Sequence, residues 1–253
     1  MRRGQPALLG LLVAVVACSG QAGGSPIHTA PAPVVNARVY VAIGASETLG
    51  VGAEEPTAQA WTSVFYRSAL PEGALFYNLG EVGATTEQAV KDELPVALAE
   101  HPDLVTVWLN TNDLVHGVSV AAYRAQLDRL LSALAGAGVT RLLVANTPVL
   151  SDLPAYRACL PHPPAGAPGC AFTAGPVPAP AELDRLVDAY NAAIAEVVAR
   201  SHGVLVDLHC QGGLAARHPG WVSSDGFHPT AAGYVQIAQA FTSALRGPTC
   251  YHA

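Results

Sequence analysis

Five short apolar runs alternate with stretches of helical spacing, and this alternation constrains the fold more than any other feature of the chain. The runs are residues 38–43 (RVYVAI), 74–79 (ALFYNL), 103–109 (DLVTVWL), 140–145 (TRLLVA) and 203–208 (GVLVDL). Segments 57–70, 85–99, 119–136, 181–201 and 230–245 carry apolar residues three and four apart. The clearest is 119–136, where Tyr123, Leu127, Leu130, Leu131 and Leu134 share one face and Arg124, Asp128 and Arg129 lie off it. Pro95 should kink or split 85–99, because it has no N–H and its ring crowds the preceding turn. Gly136 and Gly138 should end 119–136. Strands that alternate with helices pair in parallel through right-handed crossovers. Runs without polar alternation are buried on both faces. The expected fold is α/β: a three-layer, flavodoxin-like sheet of about five parallel strands, order 2-1-3-4-5.

Composition narrows the function. Of 253 residues, 51% are hydrophobic and 13% charged, which excludes a disordered chain. A formal charge of −6 and a single lysine, Lys91, leave no basic surface for nucleic acid. The length suits one α/β domain.

The N-terminus reads as an export signal. Arg2 and Arg3 precede an uncharged run at 7–17 (ALLGLLVAVVA). Eleven helical residues rise roughly 16 Å, short of the ~30 Å membrane core, so the run fits a signal peptide over 1–17 better than a membrane span. Its end, Val15-Val16-Ala17-Cys18, resembles a bacterial lipobox, which implies a lipid-bearing Cys18 and membrane anchoring. Residues 18–37 are rich in Gly, Pro, Ala and Ser and read as a tether to a domain spanning 38–253.

Cys18 accounts for the odd total of five cysteines, leaving Cys159, Cys170, Cys210 and Cys250. An even set in an exported protein suggests two disulfides. Three pairings are open; proximity favours Cys159–Cys170, which leaves Cys210–Cys250 to fasten the tail. Cys159 and Cys170 lie in residues 147–180, which hold nine of the 20 prolines. That segment is too long for a plain connection and is expected to be an ordered, functional loop.

Polar clusters follow the strands. Gly44-Ala45-Ser46-Glu47-Thr48 follows the first, Asn78-Leu79-Gly80-Glu81-Val82-Gly83-Ala84 the second, and Asn110-Thr111-Asn112-Asp113 the third. Asp225-Gly226-Phe227-His228-Pro229 follows the fifth after a loop. All should converge at the carboxyl edge of the sheet. A serine hydroxyl becomes a nucleophile when a base takes its proton, and His titrates near neutrality. An Asp three residues before that His can fix its tautomer. Glycine lets a backbone N–H approach an oxyanion closely, and Asn offers an uncharged donor.

These four blocks, in this order, resemble those of the SGNH hydrolases, also called the GDSL esterase/lipase family, across about residues 38–245. The resemblance implies a metal-free and cofactor-free α/β hydrolase of carboxylic esters. It maps the nucleophile to Ser46, the acid and base to Asp225 and His228, and the oxyanion donors to Gly83, Asn112 and the Ser46 N–H. Two positions depart from the family pattern: Ala45 stands where Asp is usual, and Asn110 where Gly is usual. Glu47 places a carboxylate beside the nucleophile, where capping of the following turn is the expected role. No Gly-x-Ser-x-Gly elbow surrounds Ser46, which argues against the separate α/β-hydrolase fold.

Esters outside the cytoplasm are the expected substrates: short acyl, lipid or acetylated-glycan esters, handled by a monomer. A catalytically quiet glycan-binding lipoprotein and an acyltransferase using the same residues are the alternatives. His209, His218 and His228 with Asp225 could form a metal site on paper, but their spacing fits no helical ligand motif. His116, close after Asn112, is a candidate pocket contact. Trp108 is expected in the core, and Trp221 and Phe227 either in the core or lining a pocket. Asp207 is a rival acid, and Asp113 is expected to hold the Asn112 loop.

Overall fold

The computed structural model describes Met1 and residues 34–170, 177–210, 212–247 and 250. The signal run, Cys18 and most of the expected tether lie outside the described residues. The chain runs through β1 (Val39–Gly44), α1 (Ser46–Leu49), α2 (Pro56–Gln59), α3 (Trp61–Ala69), β2 (Leu75–Asn78), α4 (Thr86–Lys91) and α5 (Glu93–Ala99). It continues through β3 (Leu104–Trp108), α6 (Thr111–Val115), α7 (Val120–Gly136), β4 (Arg141–Ala145), α8 (Pro154–Arg157) and α9 (Pro180–Arg200). β5 (Val204–Val206), α10 (Leu214–Arg217) and α11 (Ala231–Ala244) complete it.

The strands form one parallel sheet in the order β2-β1-β3-β4-β5, as the sequence pattern predicts. Alternate residues of β1 face opposite layers. Val41 and Ile43 pack with Leu94, Tyr123, Leu127, Tyr190 and Ile194, from α5, α7 and α9. Tyr40 and Ala42 pack with Trp61, Phe65, Tyr234 and Phe241, from α3 and α11. Trp61 and Phe241 are fully buried and stack with ring centroids 4.0 Å apart, joining the helices of the second layer. Burial of each such side chain contributes about 1.5–3 kcal/mol.

Two boundaries differ from the sequence expectation, and one expected break is found. The 57–70 segment is two helices, broken at Ala60, whose ψ of 143° is extended. The 85–99 segment splits at Asp92, because the ring of Pro95 would crowd the Lys91 carbonyl four residues earlier. The expected tether gives way to packed chain before residue 38: the Val34 and Val35 N–H groups donate to the Ala69 carbonyl at 2.9 and 3.1 Å, and Ala37 is buried.

The disulfides are Cys159–Cys170 and Cys210–Cys250. The second seats Cys250 beside Asp207 in a parallel bridge just past β5. No described helix is long and apolar enough to cross a membrane.

Candidate active site

β1 passes directly into α1, and Ser46 is the first residue of that helix. The turn is tight: a Cβ on Gly44 would lie 2.0 Å from Thr48 Oγ1. Ser46 is only 5% exposed, and its Oγ lies 2.9 Å from His228 Nε2. On the other side of the ring, His228 Nδ1 lies 2.6 Å from Asp225 Oδ2. With the Nδ1 proton donated to Asp225, Nε2 is left to accept from Ser46.

Asp225 is well supplied with donors. Its Oδ1 accepts from Ser223 Oγ at 2.8 Å, the Phe227 N–H at 2.8 Å and the His228 N–H at 2.9 Å. Partial burial works to raise its pKa, but the hydrogen bonds from His228, Phe227 and Ser223 outweigh it and bring the carboxyl down to about 2. Gly52 lets the His228 loop come this close. It has φ +97°, and a Cβ there would sit 2.6 Å from the Pro229 carbonyl oxygen and 2.8 Å from His228 Cβ.

The expected oxyanion donors are two backbone N–H groups and one side-chain amide. Among the described residues, the N–H groups of Ser46 and Gly83 have no acceptor. Gly83 holds φ +80°, a conformation that glycine adopts without strain. Asn112, in α6, donates from Nδ2 to the Ala84 carbonyl at 3.0 Å. That bond leaves the second amide proton for another acceptor. Asp113 ties this group together: its buried carboxylate accepts from the Thr86 N–H and the Thr86 hydroxyl at 3.0 Å. Burial raises the Asp113 pKa against the pull of those bonds. Asn110 binds the other flank, with Nδ2 3.4 Å from the Ala145 carbonyl.

An apolar cavity of about 150 Å³ opens beside the nucleophile turn. Trp108, Leu150, Leu208, Leu214, Trp221 and Phe227 are among its walls. The 147–180 segment supplies one wall through Pro148, Val149, Leu150 and Leu153. It is also hydrogen-bonded to the His228 loop, the Ala155 N–H donating to the Gly226 carbonyl at 3.0 Å. A small recess lined by Ala45, Glu47, Trp108, Asn110, Thr111 and Asn112 shares Glu47, Trp108 and Thr111 with the cavity.

The structure thus brings Ser46, Asp225 and His228 into one hydrogen-bonded series, and Asn112 in α6 is bonded to the Gly83 loop through the Ala84 carbonyl. Asp207 does not join them. Its Oδ1 is taken by Asn146 Nδ2 and by the N–H groups of His209 and Cys210. His116 faces the Asn112 carbonyl from the end of α6, and His209 faces the Thr147 carbonyl. His218 stacks on Trp221. Glu47 departs from its expected capping role: its carboxylate accepts from the Ser46 hydroxyl at 3.3 Å.

Two residues have supporting roles that the sequence does not assign. Glu93 is 2% exposed, and its Oε2 accepts from the Gly44 N–H at 2.8 Å, two residues before the nucleophile. The available signal is its place on the apolar face of α5 with Leu94 and Ala97. Asn78 donates to the Thr48 carbonyl at 2.7 Å and fixes the far end of α1.

A family model for GDSL-like lipases and acylhydrolases matches residues 42–236. The chain belongs to the GDSL-like lipase/acylhydrolase family. That family is one of lipases and acylhydrolases. Solved structures share its fold at low identity. TesA is 20% identical, with a TM-score of 0.61, over 82% of this chain and 98% of its own. A lipase/acylhydrolase from Enterococcus faecalis is 20% identical, with a TM-score of 0.58, over 85% and 100%. Axe2, an acetylxylan esterase from Geobacillus stearothermophilus, is 17% identical, with a TM-score of 0.59, over 84% and 95%. A search of curated protein sequences finds no relative of this GDSL chain.

Proposed function

We propose that the chain hydrolyses carboxylic esters outside the cytoplasm through an acyl-enzyme on Ser46. The observation that carries this reading is the unbroken series from Ser46 Oγ to His228 (2.9 Å) to Asp225 (2.6 Å), with the Ser46 and Gly83 N–H groups left without acceptors among the described residues. Ser46 Oγ bonds to the ester carbonyl carbon as its proton passes to His228 Nε2. Asp225, ionised, stabilises the imidazolium. The Ser46 N–H, the Gly83 N–H and the Asn112 amide hold the oxyanion. The tetrahedral centre collapses, and His228 returns the proton to the departing alcohol. Water then attacks the acyl-enzyme with His228 as base, releasing the acid and restoring Ser46.

The apolar cavity receives the acyl chain. A cavity of about 150 Å³ in another protein holds a benzene. Acyl tails of about six carbons are therefore the expected best fit. Export follows from the Arg2–Arg3 start and the short apolar run, and two disulfides suit an oxidising compartment. Lipid on Cys18 would hold the enzyme at a membrane.

The test is a panel of p-nitrophenyl esters from acetate to palmitate, with the full chain in mild detergent and Ser46→Ala as control. Activity should peak near hexanoate, and Ser46→Ala should lower kcat by at least about 10³-fold. A related esterase from Pseudoalteromonas, EstA, has been solved inhibited by monoethylphosphonate. A phosphonate should likewise add its mass at Ser46 here. Folded protein that turns over no ester and takes no phosphonate would sink the reading. Cys18→Ser should move the protein from the membrane fraction to the soluble one.

A further inference from the structure

Charge around the nucleophile is one-sided. Of the residues lining the apolar cavity and the small recess, Glu47 and Asp207 are acidic, and none is Lys or Arg. Asp207 already receives three donors on Oδ1. Glu47 is different. It lines both spaces together with Trp108, and the Ser46 hydroxyl at 3.3 Å is the only hydrogen-bond partner of its carboxylate among the described residues. A carboxylate with spare acceptor capacity thus borders the point where an ester carbonyl must sit.

We propose, on the ester-hydrolase reading above, that Glu47 is a specificity-determining residue that selects esters bearing a positive charge close to the carbonyl and rejects those bearing a negative one. The carboxylate attracts a substrate cation and repels an anion across a few ångströms of partly desolvated space. Trp108 beside it adds the attraction of an indole for an ammonium group. Glu47 also competes with His228 for the single Ser46 proton, since both lie within hydrogen-bonding reach of Oγ. A cation paired with Glu47 ends that competition and leaves the proton to His228. The preference therefore shows in kcat as well as in KM.

Three butyrate esters of similar size test this: butyrylcholine (cationic), 3,3-dimethylbutyl butyrate (its uncharged isostere) and the butyrate ester of glycolate (anionic). Release of acid by the full-length protein is followed by titration at constant pH. The expected order of kcat/KM is cationic, neutral, anionic, with steps of about tenfold that shrink as salt is raised. Glu47→Gln should compress the order to within about threefold, and Glu47→Lys should invert it. Thermal melts of both variants establish that they fold. Wild-type rates within about threefold for all three esters, or an order that survives Glu47→Lys, would overturn the assignment while ester hydrolysis stands. Failure of folded wild type to hydrolyse any of the three would overturn both.

Discussion

Two carboxyl groups reach the nucleophile turn from different elements, and burial acts on both in the same direction with opposite outcomes. Asp225, on the loop before α11, receives His228 Nδ1, the Ser223 hydroxyl and two backbone N–H groups, and its pKa falls to about 2. Glu93, on α5, receives the Gly44 N–H on Oε2, while Oε1 has no partner among the described residues. Burial therefore prevails at Glu93, with Glu81 and Asp92 adding to it, and its pKa rises to about 8. Depth of burial and number of donors act together: Glu93 is buried with one donor, whereas Asp225 has a side chain 45% exposed and four donors, so only Asp225 is charged at neutral pH. The division suits the proposed chemistry: a charged Asp225 supports the imidazolium, and a neutral Glu93 anchors the turn without setting a negative charge behind the oxyanion.

Breaking the charged member should have the largest effect. Asp225→Asn keeps the shape but presents an amide that can stabilise the wrong His228 tautomer, and kcat should fall by about 10⁴-fold. Steady-state kinetics on p-nitrophenyl hexanoate, with a melt to confirm folding, measures it. A fall of less than tenfold would move the acid's role elsewhere. Next comes the approach of the His228 loop. Gly52→Ala puts a Cβ into the 2.6 Å gap to the Pro229 carbonyl, at a φ that alanine resists. A displacement of about 1 Å at His228 should cost about 10²-fold in kcat. Retention of the Ser46–His228 bond and full activity in this variant would refute the steric argument.

Altering the neutral member should act on stability, in a defined pH window. The folded pKa of Glu93 is raised from 4.5 to about 8, so between these values the folded state holds a proton that the unfolded chain has released. Stability therefore falls as pH rises through that interval and is level above it. Glu93→Gln keeps an oxygen for the Gly44 N–H and removes the titration. Its melting temperature relative to wild type should climb between pH 5 and pH 8 by several degrees, then stay constant, corresponding to a few kcal/mol. A difference that does not vary with pH would show that the folded-state pKa of Glu93 is not raised.

Much of this arrangement is legible in the sequence, for identifiable reasons. Strand order follows from apolar runs that alternate with helical ones, and Pro95 announces the break between α4 and α5. The chemistry-bearing residues sit in short blocks after strands, and the resemblance of those blocks to the SGNH family is what names Ser46, Gly83, Asn112, Asp225 and His228 as candidates. What stays hidden depends on distance across the chain. Glu93 meets Gly44 over 49 residues, and nothing local distinguishes it from a solvated helix carboxylate except its apolar neighbours. Glu47 reads as a turn cap, because capping is the usual work of an acidic residue in a first helical turn. Only the hydrogen bond from the Ser46 hydroxyl shows that its carboxylate turns toward Ser46. The break at Ala60 carries no sequence signal, since alanine is a good helix former and tertiary packing overrides it.

The smallest predicted effect sharpens the contrast most. Ser223 donates one of the bonds to Asp225 Oδ1. Ser223→Ala leaves the His228 bond and both backbone donors in place, so kcat at neutral pH should fall by less than about tenfold. Its stability signature should mirror that of Glu93→Gln. Asp225 is lowered from 3.8 to about 2, so the stability its ionised form contributes is present above the unfolded value and is lost as pH falls through the folded one. With one donor gone, the folded pKa rises and that contribution shrinks. The melting difference between wild type and Ser223→Ala should hold steady from pH 5 to pH 8, narrow below pH 4 and close near pH 2. The gap of one variant thus varies only in acid and that of the other only between about pH 4.5 and pH 8. If both gaps varied in the same window, the two carboxyl groups would not be shifted in opposite directions.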